Sequence, residues 1–261
     1  MLNSACESES LAGSALARSA LPLCGDETSK RDDGGLFMQS LTTVLCMSGL
    51  KVEAKIAQAA GFSVVVGAGD RDHTAVLVAT AAAKTDFLVS FGIAGGLAPE
   101  LRAGTVVVSG EVVSEGHHWP IGPSIRRQLS QFARSIGAVE GLVLGASSIL
   151  ATQAEKRRAW ATTGALAVDL ESEIVARTAA ALGIPFIVLR SIADPARRDL
   201  PRASLVPLTS DGKPDLLKVF SAVLRRPLQI GGMIGLARET AIALSALIGP
   251  ARALHSLVAT L

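Results

Sequence analysis

AVDLESEIVARTAAALGIPFIVLRSIAD, residues 167–194, is the stretch that decides the fold. Its first residues form a short apolar strand that ends in acids. SEIVARTAAALG is typical of a helix that ends at Gly183, and IPFIVLRSIA is a second apolar strand. This order predicts a β-α-β unit with parallel strands and a right-handed crossover. Ligands of open α/β sheets bind outside the carboxyl ends of strands, so Glu171 and Asp194 are the first candidate site residues.

The same alternation of strand and helix extends over the preceding 125 residues or so. Two helix-like segments, LKVEAKIAQAA and TAVLVATAAAK, separate the first apolar runs. The predicted strands lie at 41–47, 63–66, 86–92, 105–113, 141–145, 166–171 and 184–193. The pattern predicts an α/β fold of three layers, α/β/α, in which helices cover both faces of a central, largely parallel sheet.

The two ends of the chain differ from this middle. Residues 1–40 are rich in Ser, Ala, Gly and charge without a clear period, which predicts a disordered N-terminal extension. Residues 41–261 are predicted to be a single domain that ends in packed helices. No transmembrane helix is expected, because charged residues interrupt the apolar C-terminal segment 227–261. Peripheral membrane contact by that segment is a second hypothesis.

Composition excludes several classes of function. The formal net charge of +2 is nearly balanced, and no basic block with interleaved aromatics is present, so a nucleic-acid partner is not expected. Three cysteines in the first fifth of the chain form neither a disulfide framework nor a metal cluster, which favours a cytoplasmic location. His117 and His118 lack further ligands at metal-binding spacing, so no metal site is predicted.

Glycines and acids follow several of the predicted strands. Gly49 and Gly92 stand at strand ends, where glycine lets a ligand approach the backbone closely. Glu173 is interpreted as an acid of the first helical turn, favourable with the helix dipole. Asp169 is either an outward-facing strand-end residue or part of a site. GIAGG lacks the GxGxxG spacing of a dinucleotide site, so no nucleotide cofactor is predicted.

Three segments together resemble a known superfamily. SFGIAGGLAPELRAGTVVVS (90–109), AVDLESEIVA (167–176) and IPFIVLRSIADPA (184–196) are similar to the signature segments of purine nucleoside phosphorylases and methylthioadenosine/S-adenosylhomocysteine nucleosidases. The resemblance covers about residues 41–225 and implies a central mixed, largely parallel sheet. Within the superfamily the chain most resembles hopanoid-associated phosphorylases, whose inferred role is to remove adenine from adenosylhopane.

The resemblance implies roles for the candidate residues. Asp194 matches the general acid that protonates adenine N7, for which burial would have to raise its pKa. Glu171 matches the carboxylate that binds the ribose hydroxyls, with Asp169 as its neighbour in the motif. The remaining substrate-binding candidates are an apolar wall at Leu170, a purine-stacking position at Ile149, and backbone groups at Leu150 that meet the adenine edge.

The acceptor of the ribosyl group is left open between phosphate and water. Phosphate is the candidate co-substrate of a phosphorylase, but Glu53 and Ser90 stand where hexameric phosphorylases have arginines. Glu53 matches the nucleosidase residue that positions a water, and Ile93 replaces a hydroxyl residue of the family. Arg71, Arg190, Arg197, Arg198 and Lys51 are the cations that could bind phosphate instead.

Three hypotheses for function follow. The first is cleavage of an adenine nucleoside that is linked to a lipid, adenosylhopane. The second is a hydrolytic methylthioadenosine/S-adenosylhomocysteine nucleosidase, which Glu53 favours. The third is a non-catalytic nucleoside- or lipid-binding protein, against which the presence of both Glu171 and Asp194 argues. The resemblance also implies a homo-oligomer.

Overall fold

Runs of β-branched and other apolar residues form the strands of a central sheet in the computed structural model, which describes residues 42–67, 70–201 and 230–261. The predicted extension, residues 1–40, lies outside these ranges. The strands within them are β1 (Val44–Ser48), β2 (Ser63–Val66), β3 (Phe87–Gly96), β4 (Val106–Ser109), β5 (Glu111–Ser114), β6 (His117–Pro120), β7 (Val139–Glu140), β8 (Val143–Gly145), β9 (Ala167–Asp169) and β10 (Phe186–Asp194).

Helices flank this sheet, as the alternating pattern predicts. Those in the described ranges are α1 (Lys51–Ala59), α2 (Arg71–Ala82), α3 (Pro123–Ser135), α4 (Gln153–Thr163), α5 (Ser172–Leu182), α6 (Ile230–Ala246) and α7 (Ile248–Val258). Local signals fix their ends. α4 begins with a capping box between Thr152 and Glu155, and α5 ends at Gly183, whose left-handed φ of 68° suits glycine.

β3 is the centre of the sheet. β1 and β10 both pair with it in parallel, β1 along its first half and β10 along its whole length. Six of the nine pairings in the described ranges are parallel, so the prediction of a mixed, largely parallel sheet is confirmed. The buried strands and the helices packed on them share one continuous apolar core.

The predicted parallel β-α-β unit at 167–194 is wrong in its pairing. β9 does not pair with β10; it pairs antiparallel with the end of β3, through Gly95 and Gly96. β10 lies on β3 in the parallel sense, so β9 and β10 run in opposite directions. The cause is a tertiary pairing that residues 167–194 do not encode. β1 pairs with β3 only as far as Ser90, so β9 can pair with the same edge of β3 at Gly95 and Gly96.

The predicted strand 105–113 is divided at Gly110. β4, before the glycine, pairs with β10, whereas β5, after it, pairs with β8. Side chains of Ile121 and Leu129 occupy the space where a side chain on residue 110 would lie. A glycine is therefore required where the chain passes from one part of the sheet to another.

The C-terminal helices α6 and α7 pack on the sheet and on the other helices. Leu247, Leu254 and Val258 are buried in the core, and Arg198 forms a two-point ion pair with Glu239 of α6. By length and composition alone, one helical stretch of the described ranges, Gly231–Val258, could cross a membrane, which the sequence-based expectation did not include. Its buried residues attach the stretch to the sheet.

Candidate active site

One cavity of about 270 Å³ opens where β3, β9 and β10 end. The first turn of α1 and the segment that precedes α4 complete its wall. Of the predicted site residues, eight line it: Gly49, Glu53, Ile149, Leu150, Asp169, Leu170, Glu171 and Asp194. Residues up to 145 positions apart thus line one cavity.

Ser90 and Gly92, also predicted to bind substrate, do not line the cavity. Ser90 is fully buried, where its hydroxyl hydrogen-bonds Ser172 at 2.9 Å and accepts from Arg190 at 2.7 Å. A Cβ on Gly92 would lie 2.5 Å from Oε1 of Glu53, so this glycine makes room for a protein carboxylate and not for a ligand. Ser90 and Gly92 therefore lie behind the cavity wall, where they adjoin Arg190 and Glu53.

Arg190 is the buried cation behind the cavity, and its side chain is only 1% exposed. Nε lies 2.7 Å from Oδ2 of Asp169, as an ion pair whose angle is too bent for a hydrogen bond. Nη2 donates to Ser90 at 2.7 Å and lies 3.4 Å from Oε2 of Glu171. A buried charge is tolerated when it is paired in this way. Arg190 was one of five cations that could bind phosphate, and in the structure it contacts Asp169, Glu171 and Ser90.

Asp169 holds the start of α5 in place. Oδ1 accepts the backbone N–H groups of Glu171 at 3.0 Å and Ser172 at 2.7 Å, and Oδ2 accepts the Ser172 hydroxyl at 2.5 Å. Together with the Arg190 ion pair, these donors satisfy both carboxylate oxygens. Asp169 reaches the cavity wall, and its hydrogen bonds fix the backbone of Glu171.

Glu171 follows β9 and precedes α5, and its side chain remains 22% exposed in the cavity. Burial raises its pKa to about 7; Arg190 opposes this shift, while the neighbouring charges of Asp169 and Glu53 add to it. Gly49 approaches the carboxylate so closely that a Cβ there would be 2.6 Å from Oε1. The carboxylate is therefore confined between a glycine turn and a buried arginine.

Glu53 is held by two backbone amides. Oε2 accepts the N–H of Leu50 at 2.8 Å and Oε1 accepts that of Ile93 at 2.8 Å. The residue is 2% exposed, and burial raises its pKa against the opposing effects of Arg190 and these hydrogen bonds. Because each carboxylate oxygen accepts a single amide, lone pairs remain for a ligand or a water in the cavity.

Asp194, at the end of β10, pairs with a lysine that sequence reasoning missed. Nζ of Lys156 lies 2.5 Å from Oδ2 of Asp194, and the lysine side chain has no solvent exposure. Burial raises the pKa of Asp194, and Lys156 opposes the shift. In TQAEKRRAW the lysine resembles the solvent-exposed charges around it, so no sequence signal identified it.

Glu173 and three of the five cations considered for phosphate form ion pairs with other parts of the protein. Glu173 lies in the first turn of α5, as predicted, and pairs with Arg71 at 2.6 Å and Arg177 at 2.9 Å. Arg71 also donates to the carbonyls of Ala146 and Leu170. Together with Arg190 and Arg198, Arg71 is thus already committed to protein acids.

Acidic side chains predominate in the lining of the cavity. Four carboxylates line it, Glu53, Asp169, Glu171 and Asp194, and the buried cations that face them are Arg190 and Lys156. The other walls are largely apolar, with Ile149, 49% exposed, among the lining residues. No group of three or more His, Cys, Asp or Glu side chains suited to a metal ion occurs in the described ranges. The arrangement suits proton transfer and the stabilisation of a developing cation.

Comparison with known proteins places this site in a family context. A family model described as "Phosphorylase superfamily" matches residues 34–225. The chain is 27% identical over 141 residues to a 5'-methylthioadenosine/S-adenosylhomocysteine nucleosidase of Marinomonas sp. (strain MWYL1), covering 46% of this chain and 61% of that protein. It is 33% identical over 131 residues to a futalosine hydrolase of Streptomyces coelicolor, covering 42% and 54%. The alignments thus span little more than half the length of these relatives.

Solved structures share the fold. The futalosine hydrolase of Helicobacter pylori superposes with a TM-score of 0.58 at 15% identity, over 85% of this chain and 99% of that one. A mutant of the H. pylori nucleosidase, with 5'-methylthioadenosine in its active site, superposes with a TM-score of 0.55 at 14% identity, over 84% and 99%.

Proposed function

The chain belongs to the phosphorylase superfamily, and we propose that it cleaves the N-glycosidic bond of an adenine nucleoside with water as the acceptor. One observation carries the proposal. Glu171 and Asp194, 23 positions apart, face one largely apolar cavity from the ends of two strands. A nucleoside in that cavity has its sugar beside one acid and its base beside the other.

Each acid has a chemical task in this reaction. The adenine anion is a poor leaving group, and protonation at N7 by Asp194 removes its charge as the bond breaks. Burial raises the pKa of Asp194, which favours the protonated form that this step requires. Glu171 can accept hydrogen bonds from two vicinal ribose hydroxyls, and its charge stabilises the oxocarbenium-like sugar.

Water is favoured over phosphate by the charges of the site. A phosphate dianion would enter a cavity lined by the acidic side chains of Glu53, Asp169 and Glu171 as well as Asp194, and Arg190 and Arg71 are already paired with protein acids. Glu53 also lines the cavity, and its carboxylate retains lone pairs that could accept a proton from a water. These contacts support hydrolysis, in which the water oxygen bonds to C1′ and its proton passes to Glu53.

The natural substrate that we propose is adenosylhopane, an adenine nucleoside whose 5′ group is a lipid. Support comes from the apolar walls of the cavity and from exposed apolar side chains, Val52 near the site and Ile234, Ile242 and Ile248 on the C-terminal helices. The same side chains support peripheral membrane contact, which flotation with lipid vesicles would measure. Methylthioadenosine is the second candidate, favoured by the nucleosidase relative.

Adenine release tests the reaction, the substrate and the acceptor together. Adenosylhopane and methylthioadenosine are each supplied with and without phosphate, and adenine and the sugar product are quantified. We expect release without phosphate, and free ribose or its 5′-substituted form as the product. A ribose 1-phosphate product, formed only with phosphate, would show that phosphate is the acceptor.

Asp194→Asn separates an enzyme from a binding protein. The amide keeps the size of the side chain but cannot donate a carboxylic proton, so turnover should fall by roughly 10²–10⁴. Nucleoside binding should persist, since the cavity walls are unchanged. If the wild-type protein binds a nucleoside without releasing adenine, the non-catalytic hypothesis replaces this proposal. The cytoplasmic location and the homo-oligomer stay predictions.

A further inference from the structure

Lys156 stands out among the buried charges because it is completely enclosed yet lies beside the candidate acid. Its ammonium group meets four oxygens: Oδ2 of Asp194 at 2.5 Å, and the carbonyls of Asp194, Pro195 and Arg198 at 3.2–3.3 Å. All four acceptors belong to the last residue of β10 or to the turn that follows it. A buried ammonium with this many acceptors is stabilised in its charged form.

The same turn is attached to the start of α4 by two hydrogen bonds, one between backbone groups and one to a side chain. The N–H of Leu200 donates to the carbonyl of Ala151 at 2.7 Å, and the N–H of Gln153 donates to Oδ1 of Asp199 at 2.7 Å. The turn after β10 is thus joined to the N-terminal end of α4, about one helical turn before Lys156. These hydrogen bonds hold α4 against the turn, and the Lys156 side chain is buried, so its position relative to Asp194 is fixed by the fold.

The two oxygens of Asp194 consequently differ. Oδ2 faces the lysine, whereas no hydrogen bond to Oδ1 is formed by residues in the described ranges. A proton on Oδ2 would oppose the N–H groups of the ammonium, so the acidic proton belongs on Oδ1. Both oxygens adjoin the cavity wall, since Oδ1 lies 3.3 Å and Oδ2 3.4 Å from the position of a Cβ on Gly95, so the contact with Lys156 is what distinguishes them.

We propose that Lys156 is a positioning residue for the general acid: it binds Oδ2 of Asp194, directs the acidic proton to Oδ1, and stabilises the carboxylate that remains after proton transfer. The inference rests on the proposed function. As the C1′–N9 bond breaks, its electron pair stays on adenine, and the Oδ1 proton moves to N7. Water adds to C1′ and gives its proton to Glu53, while Lys156 stays an ammonium throughout.

The charges around Asp194 determine the pH dependence that follows. Lys156 faces it from α4, Glu239 from α6 and Arg198 from its own turn, and Glu171 lines the same cavity. Of these, Lys156 is the group in direct contact with the carboxylate. Removal of its charge should raise the pKa of Asp194 by about 1–3 units, the usual effect of losing an opposite charge at this distance.

Two variants and one matched control isolate this effect. Lys156→Met removes both charge and donors, and Lys156→Gln keeps one N–H donor without the charge. Arg158→Met removes an exposed cation of the same helix. Circular dichroism and thermal melting establish that each variant is folded.

The ionisation of Asp194 is measured directly, from the pH dependence of the carboxyl ¹³C chemical shift assigned with Asp194→Asn. Both Lys156 variants should titrate at least one pH unit above the wild type, and Arg158→Met should match the wild type. Coinciding midpoints for all four proteins would overturn the proposal. This titration needs no substrate, so it tests the effect of Lys156 on Asp194 even if the proposed adenine release is not observed.

Turnover supplies the second readout. In both Lys156 variants kcat for adenine release should fall by roughly 10- to 100-fold, within the usual range for general acid catalysis, and its alkaline limb should move up in pH. Activity on p-nitrophenyl riboside, whose leaving group needs no protonation, should stay within about threefold of the wild type. Equal losses on both substrates, with an unmoved alkaline limb, would show a merely structural role for Lys156.

Discussion

Gly49 and Glu171 are in contact although 122 positions separate them: a Cβ on Gly49 would lie 2.6 Å from Oε1 of the carboxylate. The backbone at Gly49 does not have a positive φ, so the need for glycine here is steric and not conformational. The close approach of the turn after β1 therefore restricts the position of the Glu171 carboxylate in the cavity.

Gly49→Ala should accordingly displace the Glu171 carboxylate without unfolding the protein. A shift of about 1 Å in a group that positions substrate can cost about 10²-fold in rate, so we expect a loss of that order in kcat/KM for adenine release. Gly122→Ala is the matched control, because no atom lies within 4 Å of the position of its Cβ. Similar kinetics for the two variants would contradict the role assigned to Glu171.

The pKa of Glu171, about 7, predicts a pH-dependent contribution to stability. Its folded pKa is raised above the unfolded value of 4.5, so the folded state binds more protons between these two values. The stabilisation is complete below pH 4.5 and is lost as the pH rises through 7. Glu171→Gln removes this dependence, so its melting temperature relative to the wild type should increase between pH 5 and pH 8. A constant difference across that range would refute the assigned pKa shift.

Much of the site was predictable because its residues follow recognisable strands. Glu171, Asp194 and the turn at Gly49 come directly after apolar runs, and strand ends of an α/β sheet converge. Lys156 and Arg190 were not assigned correctly, because burial of a cation depends on distant acids and leaves no trace in the local pattern. The predicted direction of β9 was wrong for the same reason, because the pairing partner of a short strand is determined by the tertiary fold.

Arg190→Met should destabilise the protein strongly. The arginine is buried against Asp169 and Glu171, and its removal leaves buried carboxylates without their cation. Breaking such a pair typically costs about 3–5 kcal/mol, measured here as a loss in the free energy of unfolding by urea denaturation. Arg126→Met, which breaks the exposed Arg126–Glu111 ion pair at 3.6 Å, should cost less than about 1 kcal/mol.

A double variant identifies the source of that loss. Arg190→Met combined with Asp169→Asn removes the unpaired charge, so it should be less destabilised than the sum of the two single variants. Additive losses would mean that the two side chains do not act as a pair.

Glu53→Gln tests the acceptor. If Glu53 takes the proton from an attacking water, the amide should lower kcat by roughly 10²–10⁴ and leave KM nearly unchanged, because an amide cannot act as a base at neutral pH.

Gln also loses one of the two oxygens that accept the backbone N–H groups of Leu50 and Ile93, so a control for that loss is needed. Glu155→Gln provides it, since Glu155 accepts the N–H of Thr152 at 2.8 Å in the same way but lies outside the cavity lining. Glu155→Gln should keep near-normal kcat. If Glu53→Gln instead retains its rate in the presence of phosphate, the anion and not water receives the ribosyl group, because removing a negative charge from the cavity should favour phosphate entry.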